Sequence, residues 1–424
     1  MIKDGKRALA HIEEVVSIKP IEGADNIELI QVLGWQLVAA KDEFKVGDLC
    51  VYIEIDSQVP ETDERFKFLS KKSWKVKTMK LGKFNVISQG LALQVDLFPE
   101  IKNPEIGQDV TSELGITKIQ TEEEIGLAKE EMRLTKQDKD TIIAKKFSIA
   151  YRKHKKFFES KLGKKLAKKK FWRRFFGWLW CNNSALKENE FPKWIKKTDE
   201  ERVENLPWIL SYDKLLIATE KVDGTSTTFA IRYKGKKYKH FEYYVCSRNV
   251  RQSNLDMDDE TNVYWQMFKK YNIGEVLQSL AKELKCEVVI LQGETFGAGI
   301  QANPYKLKDV RFMGYNLIIG KTLSKGLREL AILHENYVIV GDVLQRRLDS
   351  ILASEMLKKY KIDWVPILST SCELPNTIEE VKNAATGNSM INTDVLREGI
   401  VYRSLYDNIS FKNVSREYLL KHRS

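Results

Sequence analysis

Residues 215–224 read Leu-Leu-Ile-Ala-Thr-Glu-Lys-Val-Asp-Gly, an apolar run that ends at Lys221 and is followed by Asp223 and Gly224. A continuous apolar run of this length predicts a buried strand, and the Asp-Gly pair predicts a tight turn after it. The amine of Lys221 can act as a nucleophile at neutral pH only if its pKa falls below the usual value of about 10.4. Desolvation and neighbouring cations lower such a pKa. Alone, Lys-x-Asp-Gly does not separate a nucleophile from an ordinary strand end.

Five further short motifs follow this stretch in the chain. They are Ser-Arg-Asn at 247–249, Gly-Glu-Thr-Phe-Gly at 293–297, Phe-Met-Gly-Tyr-Asn at 312–316, Glu-Gly-Ile-Val-Tyr-Arg at 398–403 and Ser-Phe-Lys at 410–412. With the Lys221 motif first, this ordered set resembles the covalent nucleotidyltransferases, which are the polynucleotide ligases and mRNA capping enzymes. Within that superfamily it is most similar to the ATP-dependent RNA ligases, over about residues 195–424.

The resemblance implies a reaction in three steps. Lys221 attacks the α-phosphorus of ATP and expels pyrophosphate, the lysyl-AMP passes its adenylate to an RNA 5′-phosphate, and the RNA 3′-hydroxyl displaces AMP. Arg248 is expected to contact the phosphate and the acceptor end, because a planar guanidinium can hold two phosphate oxygens. Lys412 is expected to neutralise the charge that grows on the α-phosphate in the transition state. Lys221, Lys412 and Arg248 are therefore the predicted catalytic residues.

The resemblance also assigns residues to the nucleotide and to a divalent cation. Glu294 is expected to accept hydrogen bonds from the ribose hydroxyls, and Tyr315 is expected to stack on adenine. Glu398 is the predicted ligand of Mg²⁺ or Mn²⁺, since hard cations prefer carboxylate oxygen. Arg202 lies in a segment similar to one that precedes the lysine motif in OB-containing RNA ligases, and a nucleotide contact and a structural salt bridge are equally open for it. The predicted nucleotide-binding residues are Glu220, Glu294, Tyr315, Lys412 and Arg202.

Two positions depart from the family pattern. Asn316 follows Tyr315 where the family often has aspartate, and Ser410 stands where many relatives have the first lysine of a Lys-x-Lys pair. The missing lysine leaves less positive charge to lower the pKa of Lys221, so we expect another cation to take its place. Ordinary structural roles also remain open, a surface ion pair for Arg248 and plain core packing for Tyr315.

Short apolar runs separated by turn-rich stretches predict a small β-barrel over residues 1–120. The phrases Pro-Ile-Glu-Gly-Ala-Asp at 20–25 and Phe-Lys-Val-Gly-Asp at 44–48 resemble the N-terminal OB domain of one branch of RNA ligases. OB domains bind single strands through a basic, aromatic face. Such a face is predicted around Trp74 in preference to an ordinary solvated loop, and its lysines are Lys67, Lys71, Lys72, Lys75, Lys77, Lys80 and Lys83.

Residues 121–190 form a predicted charged linker. Acidic and basic residues at 122–131 suggest a polar helix, and 152–174 then contains twelve Lys or Arg residues against one acid, Glu159. Dense aromatics follow at 171–180. Three interpretations are open for this segment: a membrane-surface helix, a nucleic-acid contact, and aromatic residues that dock a linker on the next domain, which is the favoured one.

Residues 191–424 alternate strand-like runs, such as 287–291 and 337–340, with helical stretches, such as 343–360. This pattern predicts antiparallel sheets flanked by helices. The predicted fold class is α+β, with an OB-type barrel at 1–120, the linker at 121–190 and an adenylyltransferase domain at 191–424.

Composition sets limits on the kind of protein. The chain has 424 residues, which favours two domains, and its net charge of +11 favours a polyanionic partner. Its five cysteines show no metal-binding spacing, which fits a reduced compartment, and no apolar stretch approaches the roughly 20 residues of a membrane span. We expect a cytoplasmic protein without a membrane association or an obligate protein partner.

The sequence thus predicts an ATP-dependent RNA ligase that joins RNA 3′-hydroxyl and 5′-phosphate ends, in the repair of nicks that can lie in a duplex. The alternatives are a DNA ligase or GTP-dependent capping enzyme with the same lysine chemistry, and a catalytically decayed RNA-binding protein. Only twelve residues follow Lys412, so we expect no second OB domain of the kind that DNA ligases and capping enzymes usually carry there. If the N-terminal part grips only RNA, its removal is expected to spare adenylation of Lys221.

Overall fold

The N-terminal part of the chain is a curled arrangement of short strands in the computed structural model, which describes residues 2–3, 6–120, 125, 146–148, 150–151, 154–180, 190–233, 240–254, 257–323 and 336–422. Its strands are Ile2–Lys3 (β1), Lys6–Arg7 (β2), Ala10–Pro20 (β3), Ile27–Val32 (β4), Trp35–Ala40 (β5), Leu49–Ile53 (β6), Ser57–Gln58 (β7), Lys75–Val76 (β8), Met79–Leu81 (β9), Val86–Ser88 (β10), Leu91–Gln94 (β11) and Thr117–Lys118 (β12). Short 3₁₀ helices span Glu64–Lys72, Gly82–Phe84 and Val95–Leu97.

Five of these strands form an antiparallel sheet in the order β11-β6-β3-β4-β5. The long strand β3 pairs with β6 through its first half and with β4 through its second half. Its register shifts between Val15 and Ser17, which bends the strand. Because the amide of Gln89 also donates to the carbonyl of Gln36 at 2.8 Å, the chain before β11 returns beside β5. The sheet therefore curls towards a barrel, as predicted.

The basic segment contains three short helices, Lys155–Glu159 (α1), Lys161–Ala167 (α2) and Lys170–Trp180 (α3). Their buried side chains include Phe158 and Phe176. The polar helix predicted at 122–131 lies outside the described residues, apart from residue 125.

The C-terminal part contains two sheets. Its strands are Glu201–Arg202 (β13), Leu216–Lys221 (β14), Thr225–Tyr233 (β15), Phe241–Cys246 (β16), Val288–Gly297 (β17), Val310–Thr322 (β18), Tyr337–Val340 (β19), Val343–Arg347 (β20), Asp363–Trp364 (β21), Ile367–Cys372 (β22), Gly399–Ser404 (β23) and Ser410–Val414 (β24). The helices are Val263–Lys270 (α4), Ile273–Glu283 (α5), Ser350–Lys358 (α6), Ile378–Ala384 (α7) and Arg416–His422 (α8), with 3₁₀ helices at Val203–Asn205 and Pro207–Ser211.

The first sheet has the order β13-β24-β23-β14-β22, and the second has the order β16-β15-β17-β18-β20-β19, with β21 beside β18. The largest apolar cluster packs α4, α5 and α6 against the second sheet. These mixed sheets and helices confirm the predicted α+β class. The boundaries at 120 and 190 stay predictions.

One predicted element differs from the structure. The stretch 343–360 was expected to be helical, but its first part is strand β20, which pairs with β18 and β19. The helix begins only at Ser350, where the carboxylate of Asp349 accepts a hydrogen bond from the amide of Leu352. Pairing with a neighbouring strand thus overrides the apparent helical pattern before that cap.

Strand β14 ends at Lys221 in the first sheet, and β15 begins at Thr225 in the second, so the turn between them joins the two sheets. Gly224 is required in this turn, because a Cβ atom there would lie 2.4 Å from the carbonyl oxygen of Thr295. The Lys221 motif therefore lies where the two sheets diverge.

The barrel contacts the C-terminal part through Gly34 and Trp35. The amide of Gly34 donates to the carbonyl of Glu204 at 3.0 Å, and a Cβ atom on Gly34 would lie 2.7 Å from Glu204 Cα. Trp35 Nε1 donates to Asn205 Oδ1, and Asn205 Nδ2 donates to Glu54 Oε1 at 2.8 Å. These contacts are buried, so they fix the barrel against the catalytic part.

No helix among the described stretches is long and apolar enough to cross a membrane. The four cysteines that the structure describes are free thiols: Cys50, Cys246, Cys286 and Cys372.

Candidate active site

A cavity of about 420 Å³ opens at the junction of the two sheets. Predicted site residues line it from six strands or their ends: Glu220, Lys221, Arg248, Glu294, Tyr315, Glu398 and Lys412. Because these residues lie up to 192 positions apart in the sequence, the two sheets bring them together. Arg202 is the one predicted site residue that does not line this cavity.

Lys221 and Glu398 form a close ion pair in the cavity. The pairing of β14 with β23 places Lys221 opposite Gly399, so the preceding carboxylate reaches the lysine, with Nζ and Oε2 2.5 Å apart. The Lys221 side chain is 24 % exposed and that of Glu398 is 3 % exposed. The buried carboxylate of Glu398 therefore covers one side of the Lys221 amine.

Two cations share one carboxylate at another wall of the cavity. Asp199 Oδ1 accepts hydrogen bonds from Arg248 Nη2 at 2.9 Å and from Lys412 Nζ at 3.3 Å. Burial lowers the pKa of Lys412 to about 8. The cations of Arg202, Lys221 and Arg248 lower that pKa further, against the opposite effect of Asp199. This concentration of positive charge suits an anionic ligand.

Glu294 lies on the acidic side of the same cavity. Burial raises the pKa of its carboxyl to about 8, and the carboxylates of Glu398 and Asp223 add to that increase. Lys221 and Arg248 act in the opposite direction. Carboxylates that disfavour one another's charge form a natural position for a cation.

Tyr315 and Arg403 form the deep end of the cavity. The hydroxyl of Tyr315 lies 3.2 Å from Ser226 Oγ, and the Arg403 guanidinium lies 5.6 Å from the Tyr315 ring. Arg403 also donates to Asn316 Oδ1 at 3.2 Å and to Thr219 Oγ1 at 3.1 Å. The ring is thus held at the cavity wall, next to a buried guanidinium.

Comparison with known proteins agrees with this geometry. A family model described as an OB-fold domain matches residues 9–95, and one described as RNA ligase matches residues 214–421. The chain belongs to the RNA ligase family. No curated protein sequence matches the chain.

Solved structures of Naegleria gruberi RNA ligase are similar to this chain over nearly its whole length. An apo form with an aspartate replaced by alanine is 29% identical in sequence to this chain. The match covers 98% of each chain and has a TM-score of 0.66. The form with pyrophosphate is 28% identical, covers 99% of each chain and has a TM-score of 0.65. A form with lysine replaced by methionine, with AMP and Mn, is 28% identical, covers 98% of this chain and 99% of that chain, and has a TM-score of 0.66.

These findings confirm that the chain is an RNA ligase with an N-terminal OB domain, as the motif order predicts. The DNA ligase, capping-enzyme and decayed-protein alternatives are not favoured. The roles of the individual site residues stay predictions.

The pairing of strands β23 and β24 in this RNA ligase shows which cation lies beside Ser410. Strands β23 and β24 pair Arg403 directly with Ser410, and Ser410 Oγ donates to Glu200. Arg403 Nη2 also lies 3.6 Å from Glu200. A buried guanidinium therefore stands beside the position of the missing lysine. Sequence reasoning assigned Arg403 no role, although it ends the quoted motif at 398–403.

The other family departure, Asn316, is also explained by its neighbours. Its amide nitrogen donates to Gln292 Oε1 at 3.1 Å while its oxygen accepts from Arg403. An amide can both donate and accept, whereas an ionised carboxylate can only accept. Asn316 therefore bridges Gln292 and Arg403.

Glu220 and Arg202 are placed differently from the other predicted residues. Both oxygens of Glu220 are engaged, by Ser389 Oγ at 2.5 Å and by the amide of Met390 at 2.8 Å, and burial raises the pKa of this carboxyl. Arg202 pairs through β13 with Lys412 in β24, and its guanidinium lies 5.3 Å from the Trp35 ring. Arg202 Nη1 is buried and has no hydrogen-bond partner among the described residues.

The structure also shows a support for the motif turn that the sequence did not reveal. Asp223 Oδ2 accepts a hydrogen bond from the Tyr418 hydroxyl at 2.6 Å, and the Asp223 amide donates to the Tyr305 hydroxyl oxygen at 2.7 Å. Tyr418 lies in α8, 195 positions away. The Lys-x-Asp-Gly motif predicted only a turn, because no local sequence pattern indicates a contact with a residue as distant as Tyr418.

Proposed function

We propose that this RNA ligase is ATP-dependent and joins RNA 3′-hydroxyl and 5′-phosphate ends through a lysyl-AMP intermediate, in the cytoplasmic repair of nicked RNA. The proposal rests on the Lys221–Glu398 pair, 2.5 Å long, in a cavity with further cations. The similar Naegleria gruberi RNA ligase has been solved with ATP and Mn, with AMP and Mn, and with pyrophosphate.

In the first step, Lys221 Nζ forms a bond to the α-phosphorus of ATP while the bond from that phosphorus to the bridging oxygen breaks. The electron pair leaves with pyrophosphate, and the nitrogen releases protons to solvent until the phosphoramidate carries a single N–H. Lys412 and Arg248, which share Asp199, supply positive charge for the phosphate oxygens. Their charge is most useful where negative charge develops in the transition state.

In the later steps, an oxygen of the RNA 5′-phosphate attacks the adenylate phosphorus and Lys221 leaves as an amine. The RNA 3′-hydroxyl oxygen then attacks the 5′-phosphorus, and AMP leaves. Arg248 is half exposed, so it can contact an RNA phosphate while Lys412 stays with the nucleotide. A guanidinium holds such a phosphate with two hydrogen bonds.

The adenosine is assigned to the deep end of the cavity, with Tyr315 against adenine and Glu294 at the ribose. Arg202 is assigned an indirect part at the nucleotide phosphates, because it lies behind Lys412 without lining the cavity and its charge contributes to the lowered pKa of Lys412. Glu220 contributes indirectly, because its carboxylate already holds the loop at 389–390. It therefore shapes the site.

Glu398 is assigned to a Mg²⁺ or Mn²⁺ ion. The described residues contain no group of three or more His, Cys, Asp or Glu side chains that could hold a metal. Mg²⁺ usually takes only one or two protein carboxylates beside phosphate and water, so one carboxylate fits that ion. The charge of Glu398 raises the pKa of Glu294, which shows that this wall is rich in negative charge. When bound, the cation supplies charge neutralisation for phosphate oxygens.

The OB domain is assigned to RNA. Lys71, Lys77 and Lys83 are exposed, as a phosphate contact requires. Lys80 contributes less, since its Nζ donates to the carbonyl of Leu420 at 2.7 Å. Trp74 packs against the core of the domain, so phosphate contact rather than stacking by Trp74 is expected on this face.

The adduct itself tests the proposal. The protein is incubated with α-labelled ATP and Mg²⁺ and then separated by denaturing electrophoresis. The wild-type chain is expected to be fully labelled, Glu294→Asp to be weakly labelled, and Lys221→Ala to carry no label. Lys214→Ala is the matched control, because Lys214 pairs with Asp407 at 3.2 Å outside the cavity and is expected to keep full labelling. Label retained by Lys221→Ala, or labelling by GTP in preference to ATP, contradicts the proposal.

A second arm examines Glu398. Glu398→Ala is expected to lose at least about a hundredfold of the labelling rate, since a transition-state cation contact is removed. Glu398→Asp should recover part of it with Mn²⁺, which accepts looser geometry than Mg²⁺. If a folded Glu398→Ala variant is labelled at the wild-type rate, Glu398 does not have the assigned role.

A further inference from the structure

The aromatic residues of the basic segment divide into two sets that face opposite ways. One set packs internally: Tyr151 stacks on Phe158 at 5.0 Å, Phe158 meets Phe176 at 5.3 Å, and Phe176 stacks on Trp180 at 4.7 Å, measured between ring centroids. These rings form a small core of their own. The docked-linker interpretation is therefore not needed to explain them.

The other set is exposed on α3. Phe171 is 70% exposed, Trp178 is 71% exposed, and Phe175 and Leu179 are 38% and 46% exposed. Residues spaced by three, four and seven positions lie on one side of a helix, so these four side chains form one continuous stripe. Large apolar side chains that are exposed together mark an interaction surface.

Positive charge surrounds this stripe. Residues 160–180 contain eight Lys or Arg residues and no acidic residue. Arg174 lies three positions after Phe171 and four before Trp178, so its cation is on the same side of α3 as the exposed rings. Lys165, Lys168 and Lys169 are exposed at the neighbouring helix ends. The occupant of this surface must therefore be a polyanion that also offers flat apolar groups.

We propose that the exposed stripe of α3 and the cations around it bind single-stranded RNA, with bases stacked on Phe171, Phe175 and Trp178 and phosphates beside the lysines and Arg174. Alternating rings and cations are the arrangement by which proteins hold single strands without sequence preference. RNA is favoured over an anionic lipid surface, because the chain belongs to the RNA ligase family and its substrate class already supplies single strands to the molecule. The inference rests on the proposed function for its substrate, RNA.

The test uses the full chain and a fluorescent 20-nucleotide single-stranded RNA. Phe171→Ala/Trp178→Ala is expected to bind this RNA at least about tenfold more weakly, since each base–aromatic stack adds substantially to affinity. Trp208→Ala removes another exposed tryptophan, 52% exposed and outside the segment, and is expected to bind like the wild type. The slope of log RNA affinity against log salt concentration should be shallower in a variant without four of these cations. The expected change is roughly 0.7 for each phosphate that is no longer neutralised, in Lys165→Gln/Lys168→Gln/Lys169→Gln/Arg174→Gln.

Labelling of Lys221 by ATP is measured in parallel. Weakened RNA binding with unchanged labelling in every variant supports the inference. If the wild-type chain takes no label, the proposed function is contradicted, and the RNA-binding measurements alone then decide the inference. Unchanged RNA affinity in the double aromatic variant overturns the inference. A second result also overturns the inference: the wild type cosediments with phosphatidylserine vesicles, and the aromatic substitutions abolish this cosedimentation but leave RNA binding intact.

Discussion

The barrel interface and the basic segment contact their surroundings in opposite ways. At the interface, buried polar groups meet specific partners: Asn205 bonds to Trp35 and Glu54, and Lys382 Nζ donates to the carbonyl of Gly34 at 2.6 Å. In the segment, one set of aromatic rings packs on itself while large apolar side chains such as Phe171 and Trp178 are exposed. Buried hydrogen bonds fix one orientation, because breaking them leaves unsatisfied groups. The barrel is therefore fixed to the C-terminal part, whereas the segment presents apolar side chains to solvent, where the proposed RNA contact would form.

The interface also reaches the active site through Arg202. Trp35 contacts the Arg202 guanidinium, and Arg202 pairs with Lys412 in the neighbouring strand. The charge of Arg202 contributes to the lowered pKa of Lys412. From the sequence alone, removal of the barrel was expected to spare adenylation. The interface leads to the opposite expectation.

The largest effect is expected from deleting one region at a time. A chain that begins at residue 121 exposes Asn205 and Lys382 and removes Trp35 from Arg202, so its labelling rate with ATP should fall at least about a hundredfold. Replacement of 155–180 by a flexible linker should leave that rate unchanged. Circular dichroism verifies that both chains fold. Equal labelling rates for the two deletions would erase the distinction between the regions.

A smaller effect is expected from Trp35 itself. Trp35→Ala should destabilise the chain by about 3–5 kcal/mol, because it empties a buried site, and should raise the KM for ATP more than it lowers kcat. Trp35→Phe keeps a ring beside Arg202 but removes the donor to Asn205, so it should cost about 1–3 kcal/mol with a KM near that of the wild type. Thermal unfolding and initial rates measure both quantities. If Trp35→Phe raises KM as much as Trp35→Ala, the hydrogen bond and not the ring positions Arg202.

The smallest effect concerns pH. His11 is buried, which alone lowers its pKa, but hydrogen bonds to Glu13 at 2.7 Å and Glu54 at 3.4 Å outweigh burial and raise that pKa above 6.5. A raised pKa in the folded state gives stability that is complete below pH 6.5 and is lost as pH rises through the folded-state pKa.

The free energy of unfolding should therefore fall as the pH rises above 6.5 and through the raised pKa of His11, and the fall should be shallower in His11→Gln. Because Glu54 also accepts from Asn205, the same pH change should loosen the interface. Substitutions in the basic segment do not touch the His11 contacts with Glu13 and Glu54, so they should leave this pH profile unchanged. Parallel profiles for the wild type and His11→Gln would exclude His11 as the source.

The sequence predicts those site features that local patterns encode. Lys221 follows an apolar run typical of a buried strand, Glu398 directly precedes strand β23, and Lys412 lies within strand β24. Long-range pairings carry no such signal. The register that places Arg403 beside Ser410, the contact of Tyr418 with Asp223 and the close approach at Gly34 all depend on elements that meet only after folding. The strand at 343–347 was missed for the same reason.

The ion pair between Lys221 and Glu398 has a consequence for the idle enzyme. Lys221 Nζ lies 2.5 Å from the buried Glu398 carboxylate and its side chain is only 24 % exposed, so acylating and carbamylating electrophiles from solvent have little access to the amine. The residue proposed as the nucleophile is therefore sheltered between turnovers. Under the proposed mechanism, a ligand that draws Glu398 away opens the amine to attack, so the same contact both protects and controls it.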